Sequence, residues 1–230
     1  FPHMWVEEIL KENRVFRDPL LGEISTDQFQ IGPQNTSLGK VIDEEYLRLL
    51  SDLYPSISFR LHANVRLFSS ASSFDGGTTS SNRGYLKRLV EVLRFLGKPY
   101  IFHAGRKSSG KDLREQLRFC QTLEQAAGVS VGIELLYPTS SESFTASTWE
   151  EYEQTSNSGV HFALDLSHVN ILFHYTQKWD EALIQDMLES PNCIEVHLSG
   201  NDGKADKHLP IRQEPVWWEV YLRSRIQGDI

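Results

Sequence analysis

The chain is poor in cysteine, in long apolar runs and in positive charge, and each shortage removes a class of protein. Cys120 and Cys193 are the only cysteines in 230 residues, one within a helical pattern and the other opening a strand pattern. Two such thiols make no disulfide framework, so the default compartment is a reducing cytoplasm. No uninterrupted apolar stretch approaches the ~20 residues of a membrane span, and the first residues lack a signal-peptide layout, so no membrane association is expected. The formal charge of −8 and the pI near 5.5 lack the basic field of a nonspecific nucleic-acid binder, which argues against nucleic acid as a partner. With 40% apolar and 11% aromatic residues, the chain can still bury one substantial core.

What is present is a repeated pattern in which an apolar run ends on a potential ligand. The runs 57–62, 100–103, 129–134 and 160–168 end at His62, His103, Glu134 and the pair Asp165 and His168. A further run, 193–197, ends at His197, and a Gly-rich turn then leads to Asp206 and His208. From His103 to Glu134, Glu134 to Asp165 and Asp165 to His197 the separations are 31, 31 and 32 residues. That period is one strand plus one helix, and it predicts an α/β fold. The architecture expected is a TIM (β/α)8-type barrel with ligands at the carboxyl ends of successive strands.

Residues 1–26 read as an N-terminal extension and 27–230 as the barrel domain. The first barrel strand falls at 28–33. Asp43 is placed to cap a helix whose stripe is Tyr46, Leu47, Leu49, Leu50 and Leu53. Further helices are expected from Tyr85 to a stop at Gly97, over 112–127 with a stop at Gly128, from a capping box at Ser147-Thr148-Trp149-Glu150 to about 155, and over 179–188. Trp217, Trp218, Tyr221 and Leu222 read as the face of a last helix. Six strand–helix units are visible where a closed barrel typically takes about 250 residues, so the barrel is expected to be incomplete at its C-terminal end. Trp5 to Leu10, the one strand-like segment outside the register, either covers the vacant edge, the fate favoured here and the one that could present Glu7 or Glu8 to the pocket, or packs outside it; two adjacent glutamates on a surface strand are more often solvated than ligands. The Ser/Gly/Thr loop 69–82 reads as a lid, a binding loop or a mobile segment.

A lone strand-end histidine is more often structural than functional; here the concentration carries the argument. His62, His103, Glu134, Asp165, His168, His197, Asp206 and His208 would share one pocket. One ion accepts about four to six such ligands, so the set implies two or three divalent ions, with Glu134 as the bridge. Glu134, Asp165 and His168 are also the candidate catalytic groups. His161 and His174 fall away from the strand ends and read as structural. Arg106, Lys107 and Lys111 lie among small residues in a loop suited to gripping a phosphate or carboxylate of a substrate, although a solvated turn has the same composition.

This pattern resembles the xylose isomerase-like TIM barrels over roughly residues 27–222. The residues that carry the likeness are His62, His103, Gly132-Ile133-Glu134, Asp165-Leu166-Ser167-His168, His197 and Asp206-Lys207-His208. Single-ion sugar isomerases and epimerases of the group would match Glu134, Asp165 and His197. The additional His62, His103, Asp206 and His208 are similar to its multinuclear members, which are endonuclease IV, with three zinc ions, and the non-haem iron enzymes that oxidatively modify cysteine-containing peptides. His197-Leu198-Ser199-Gly200 and Pro215-Val216-Trp217 look more like the iron enzymes, while Leu135-Leu136-Tyr137-Pro138 stands where the nuclease would carry a Gly-rich run. Both place a last glutamate on an eighth strand that this sequence does not reach. The resemblance implies a metal-dependent enzyme, oxidoreductase first and isomerase second, with iron first and zinc or manganese as alternatives. The implied substrate is a small thiol-bearing molecule or a peptide, a partner protein being left open. An endonuclease IV-like phosphodiesterase comes third, and a barrel whose site is broken is the non-enzymatic alternative.

Overall fold

The computed structural model describes residues 6–11, 16–18, 22–24, 27–32, 41–63, 65–68, 74–78, 83–139 and 143–209. Helix α1 (Val6–Lys11) and an antiparallel hairpin of β1 (Phe16–Asp18) and β2 (Gly22–Ile24) precede the alternating part. There follow β3 (Gln28–Ile31), α2 (Glu44–Leu53), β4 (Ser58–Leu61), α3 (Arg83–Leu96), β5 (Tyr100–His103), α4 (Leu113–Ala127) and β6 (Val131–Glu134). The described elements end with α5 (Trp149–Ser156), β7 (His161–Asp165), α6 (Leu166–Thr176), α7 (Glu181–Glu189) and β8 (Cys193–His197). The expected helix around Trp217 to Leu222 lies outside the described residues.

Local chemistry explains the strongest elements. Asp112 accepts from the Glu115 amide at 2.8 Å while Glu115 accepts from the Asp112 amide at 3.0 Å, a reciprocal cap on α4. Gly128 ends that helix in the left-handed region at φ 71°, where a side chain would be strained. Leu113, Leu117, Cys120, Leu123 and Ala127 bury one face between those stops. Asp43 caps α2 as expected, but the apolar stripe is narrower than the sequence suggests, since Leu47 and Leu50 are buried while Leu49 and Leu53 are 53% and 59% exposed. In α5 the cap is Thr148, one residue later than Ser147; its hydroxyl accepts from the Glu151 amide, and the Glu151 carboxylate accepts from the Ser147 amide at 2.9 Å, so no reciprocal box forms.

From β3 onward the strands run parallel and in sequence order. β3 pairs with β4, and β5, β6, β7 and β8 pair in turn. A bridge between His62 and Ile101, with the Ala63 amide donating to the Ile101 carbonyl at 2.7 Å, joins the two groups. Among the described residues the sheet does not close, and β3 and β8 are its edges. It is nevertheless curled: Gln30 on β3 donates to Glu195 on β8 at 2.8 Å, whereas five strand spacings in a flat sheet would separate them by roughly 24 Å.

One irregularity sets the phase of the last strand. β7 pairs Phe162 with Cys193 but Ala163 with Glu195, so a bulge adds a residue to β8. Beyond it Asp165 pairs with His197, and partners in a parallel ladder point to the same face. Were the same sequence paired strictly from Cys193 onward, without the bulge, Val196 would take that place and the imidazole would point to the opposite face.

The segment expected to close the edge as a strand is instead α1. Val6 and Leu10 are four residues apart, one helical turn, and both are buried in the common core. Glu8 is exposed, so it is not a pocket ligand here, and the Glu7 side chain lies outside the described residues. Of the loop 69–82, residues 74–78 are held down. Phe74 is buried and stacks on Tyr85 at 5.0 Å, and the Gly76 amide donates to the His103 carbonyl at 3.0 Å. Gly105 lies directly against this turn, and a Cβ there would run into the backbone nitrogen and Cα of Gly77. Gly105→Ala is therefore expected to lower stability by about 1–3 kcal/mol in urea unfolding. Gly84→Ala, in a helical position with open space around it, should instead be neutral or stabilising by up to about 1 kcal/mol.

Candidate metal centre

Strand geometry delivers the ligands. His62 follows β4, and His103, Glu134, Asp165 and His197 are the last residues of β5, β6, β7 and β8. His103 is the ladder partner of Glu134, as Asp165 is of His197, so these carboxyl ends share one rim.

Glu134 is the centre of the arrangement. Its carboxylate, 4% exposed, sits between imidazoles on both sides. Oε2 lies 3.2 Å from His62 Nε2 and 3.1 Å from His103 Nε2, and Oε1 lies 3.1 Å from His197 Nδ1 and 3.8 Å from His168 Nδ1. Two of these approaches are close without being hydrogen bonds, because Oε2 has no aligned donor despite its two imidazole neighbours. Nitrogen and oxygen lone pairs that converge on a shared space, rather than on each other, are what ligands around an ion look like. Burial raises the Glu134 pKa, but His197, His103 and His62 outweigh it and hold the carboxyl well below the usual range.

Asp165 divides its oxygens between structure and site. Oδ1 caps α6 by accepting the Ser167 and His168 amides at 2.7 and 3.2 Å, while Oδ2 faces His168 Nε2 at 3.6 Å and His197 Nδ1 at 3.9 Å. Helix α6 begins directly after the strand, and His168 stands in its first turn, because Asp165 supplies the cap without an intervening turn. His168 Nδ1 lies 2.7 Å from the Leu135 carbonyl, which fixes Nδ1 as the donor and turns Nε2 toward Asp165 and, at 3.5 Å, Asp206.

Asp206 and His208 come from the loop after β8, which is pinned at several points. Gly200 and Leu209 exchange backbone bonds at 2.8 and 2.9 Å. Asn201 accepts from Asn170 and donates to the Ser167 carbonyl, both at 2.8 Å, which ties the loop to α6. His208 Nε2 lies 3.0 Å from Asp206 Oδ2. At φ 46° its backbone is in the left-handed region, a strain of about 1–2 kcal/mol for a non-glycine. Asp206 Oδ1 is buried without a partner. Tyr137 packs its ring 4.8 Å from that of His168 at the edge of the same cluster.

Ligand atoms lie within 4.8 Å of one another in three groups: His62, His103 and Glu134; His62, Glu195 and His197; and Glu134, Asp165 and His168. Asp206 and His208 adjoin the third group through His168. Arg106, Lys107 and Lys111 are in none. Lys107 pairs with Glu151 on α5 at 2.9 Å, and Arg106 bridges Phe144 through its backbone. His161 lies 3.6 Å from Glu124 and His174 packs on Phe173, both apart from the three groups.

Glu195 escaped the sequence reading, together with its partners Arg60 and Gln30. Its carboxylate, 8% exposed, pairs with Arg60, accepts from Gln30 at 2.8 Å and accepts from His197 Nε2 at 2.8 Å. The signal was available: Arg60-x-His62 and Glu195-x-His197 share the two-residue period that puts both members on one face. Asn201 carries no comparable signal, since its role depends on where α6 lies.

The donor set fits divalent ions on this geometry. Imidazole and carboxylate are the ligands of zinc, iron and manganese, and the buried atoms Glu134 Oε2, His62 Nδ1 and Asp206 Oδ1 lack aligned partners, each such atom typically costing about 1–3 kcal/mol. Beyond the geometry, a family model described as xylose isomerase-like TIM barrel matches residues 23–224, whereas no curated protein matches the chain.

The charges predict how stability follows pH. Burial alone would lower His168, but Asp165, Asp206 and Glu134 raise it to about 9. Burial also opposes the rise of His197, where Glu134 and Asp165 prevail. A raised histidine stabilises the fold fully below its unfolded value of 6.5, and that contribution is lost as the pH climbs through about 9. Glu134 is lowered, so it stabilises above its unfolded value of 4.5 and loses this as pH falls. Burial lowers His62, whose share is lost as the pH falls below 6.5, so the clear expectation for chelator-treated protein is a lower Tm at pH 9 than at pH 6.5. Metal-loaded protein should show the opposite trend from pH 6.5 to 9, because an ion displaces those protons; parallel Tm profiles of the two forms check this.

Proposed function

The chain belongs to the xylose isomerase-like TIM barrel family, and from that premise we propose that it is a metal-dependent enzyme with a multinuclear centre. Members of this family are largely enzymes, and no described helix is long and apolar enough to cross a membrane. The observation that carries the proposal is the environment of Glu134, one oxygen facing His62 and His103 and the other facing His197 and His168. A single ion uses one side of a carboxylate, so imidazoles on both sides favour a bridging glutamate and two ions over a mononuclear isomerase. His62, His103 and Glu134 would hold one ion; Glu134, Asp165, His168 and His197, with Asp206 and His208 above them, would serve the other.

We favour iron and an oxidative reaction on a thiol-bearing small molecule or a peptide, on the strength of the His197-Leu198-Ser199-Gly200 and Asp206-Lys207-His208 segments. Bound iron would supply Lewis acidity, affinity for a soft sulfur ligand and one-electron redox chemistry. The chain's own residues do the rest. Glu134 brings a permanent negative charge, and the Leu135 carbonyl holds the His168 ring in place. His103, whose side chain is 45% exposed, and His208, at 55%, stand at the open side from which a substrate would enter. Asp206 Oδ1 offers a buried acceptor without a partner beneath that opening. A sugar-phosphate isomerase draws less support, because Lys107, one of the three cations in its candidate phosphate loop, is committed to Glu151.

Elemental analysis of protein purified without oxygen is the test. Two or three irons per chain is the expected result, whereas one manganese or magnesium would favour the isomerase and three zincs the nuclease. Absence of any bound transition metal across growth conditions would overturn the proposal. Glu134→Gln should lose more than one metal equivalent and His62→Ala about one, since only the former spans two positions; equal losses would contradict the bridge.

A further inference from the structure

Beneath the cluster lies a buried layer of polar side chains that ion binding alone does not require. Glu195 presents Oε1 downward to Gln30, at 2.8 Å, and to the Arg60 guanidinium. It presents Oε2 upward, 2.8 Å from His197 Nε2 and 3.9 Å from His62 Nδ1. Each of those rings turns its other nitrogen toward Glu134: His197 Nδ1 is 3.1 Å from Oε1 and His62 Nε2 is 3.2 Å from Oε2. The rings are 4.9 Å apart and nearly perpendicular, so the two histidines straddle one carboxylate below and another above.

We propose that Glu195 is a positioning carboxylate and not a metal ligand. By accepting the outer N–H of His197, it commits His197 Nδ1 as the lone-pair atom aimed at the ions. This deepens the multinuclear reading, rests on it, and removes the group of His62, Glu195 and His197 as a place for an ion of its own.

Three observations favour this over a third ion held by His62, Glu195 and His197. An ion there would bind His62 and His197 through their second nitrogens, so each ring would have to surrender both of its protons to serve two ions. The guanidinium of Arg60 already occupies Oε1, and a cation beside it would meet like charge in a buried setting. The contact of Oε2 with His197 Nε2 is a hydrogen bond of ordinary length, with the ring nitrogen as donor. A carboxylate accepting the second ring N–H of a metal-binding histidine is the usual outer support of such sites.

Zinc(II) titration of the metal-free protein by calorimetry provides the test, with Glu195→Ala and the double variant Arg60→Met/Glu195→Gln. The double variant removes the buried ion pair as a unit and leaves a neutral amide whose oxygen can still accept from His197. If Glu195 positions, Glu195→Ala keeps the wild-type number of zinc ions at about 10–100-fold weaker affinity, and the double variant regains most of that loss. Loss of a full zinc equivalent in the double variant would overturn the proposal, as would wild-type affinity in Glu195→Ala. Should Glu195→Ala not fold, the double variant decides alone by its stoichiometry. Nitrogen-15 spectra of the imidazoles, recorded on metal-free protein at a pH where the His197 ring is neutral, separate this inference from the reading it rests on. The expected result is an Nε2–H tautomer in wild type that is lost in Glu195→Ala; a wild-type Nδ1–H tautomer overturns the inference. A wild-type protein that takes up no zinc would sink the metal reading, while the tautomer would still decide the role of Glu195.

Discussion

A carboxylate buried among four imidazoles is the constraint on which the structure turns. Glu134 is 3% exposed at the end of a strand whose other residues are fully packed, and an isolated charge there would be too costly to keep. It is tolerated because His62, His103, His168 and His197 surround it, which requires four further segments to deliver ring nitrogens to one point. That demand fixes the curl of the sheet, the register of its ladders and the identity of the small residues beside it. Gly132, in phase with Glu134, would drive a Cβ into the His161 carbonyl group, and Ala163, the ladder partner of Glu134, fills its place with one methyl.

The bulge in β8 belongs to the same demand. A parallel ladder transmits the phase of one strand to the next, and strict pairing from Phe162 and Cys193 onward would align Asp165 with Val196. The added residue turns Glu195 and His197 inward together, which completes the ligand rim and places the supporting carboxylate below it in one step. Pairing of this stretch without the bulge would thus exchange Glu195 and His197 for Ile194 and Val196 on the inner face, a far larger effect than the removal of one side chain.

Much of this was legible in the sequence because strand ends and ligands coincide. The 31 residues from His103 to Glu134 are the register of β5 on β6, while Asp165 stands two residues beyond Ala163, the partner of Glu134; Gly97 and Gly128 ended helices where the chain needed a left-handed residue. The ligands at 62, 103, 134, 165, 168 and 197 all fall in one cluster, as a barrel rim requires. What was not legible depends on three-dimensional neighbours. The 32-residue gap before His197 recorded the bulge, but gaps between strands also vary with helix length, so the number alone could not identify it. Glu195 looked like a polar residue within an apolar run until Arg60 and Gln30 arrived from the far side of the sheet. Val6 and Leu10 are compatible with a strand or a helix in so short a segment, and burial on one helical face decided between them.

The inner layer also carries an energetic argument about what the fold is for. A buried pair such as Arg60 and Glu195 can usually be exchanged for apolar residues of similar volume with no loss of stability, so stability alone does not account for it. Unpartnered atoms at Glu134, His62 and Asp206, together with the left-handed backbone at His208, add further cost in the metal-free chain. A core optimised for stability would avoid each of these. Their concentration on one rim, above a carboxylate that holds ring orientation, is the pattern of a site whose groups are arranged before the ion arrives. With the proposed ions bound, the free energy of coordination would become folding free energy, and the fold and its metal centre would stabilise each other.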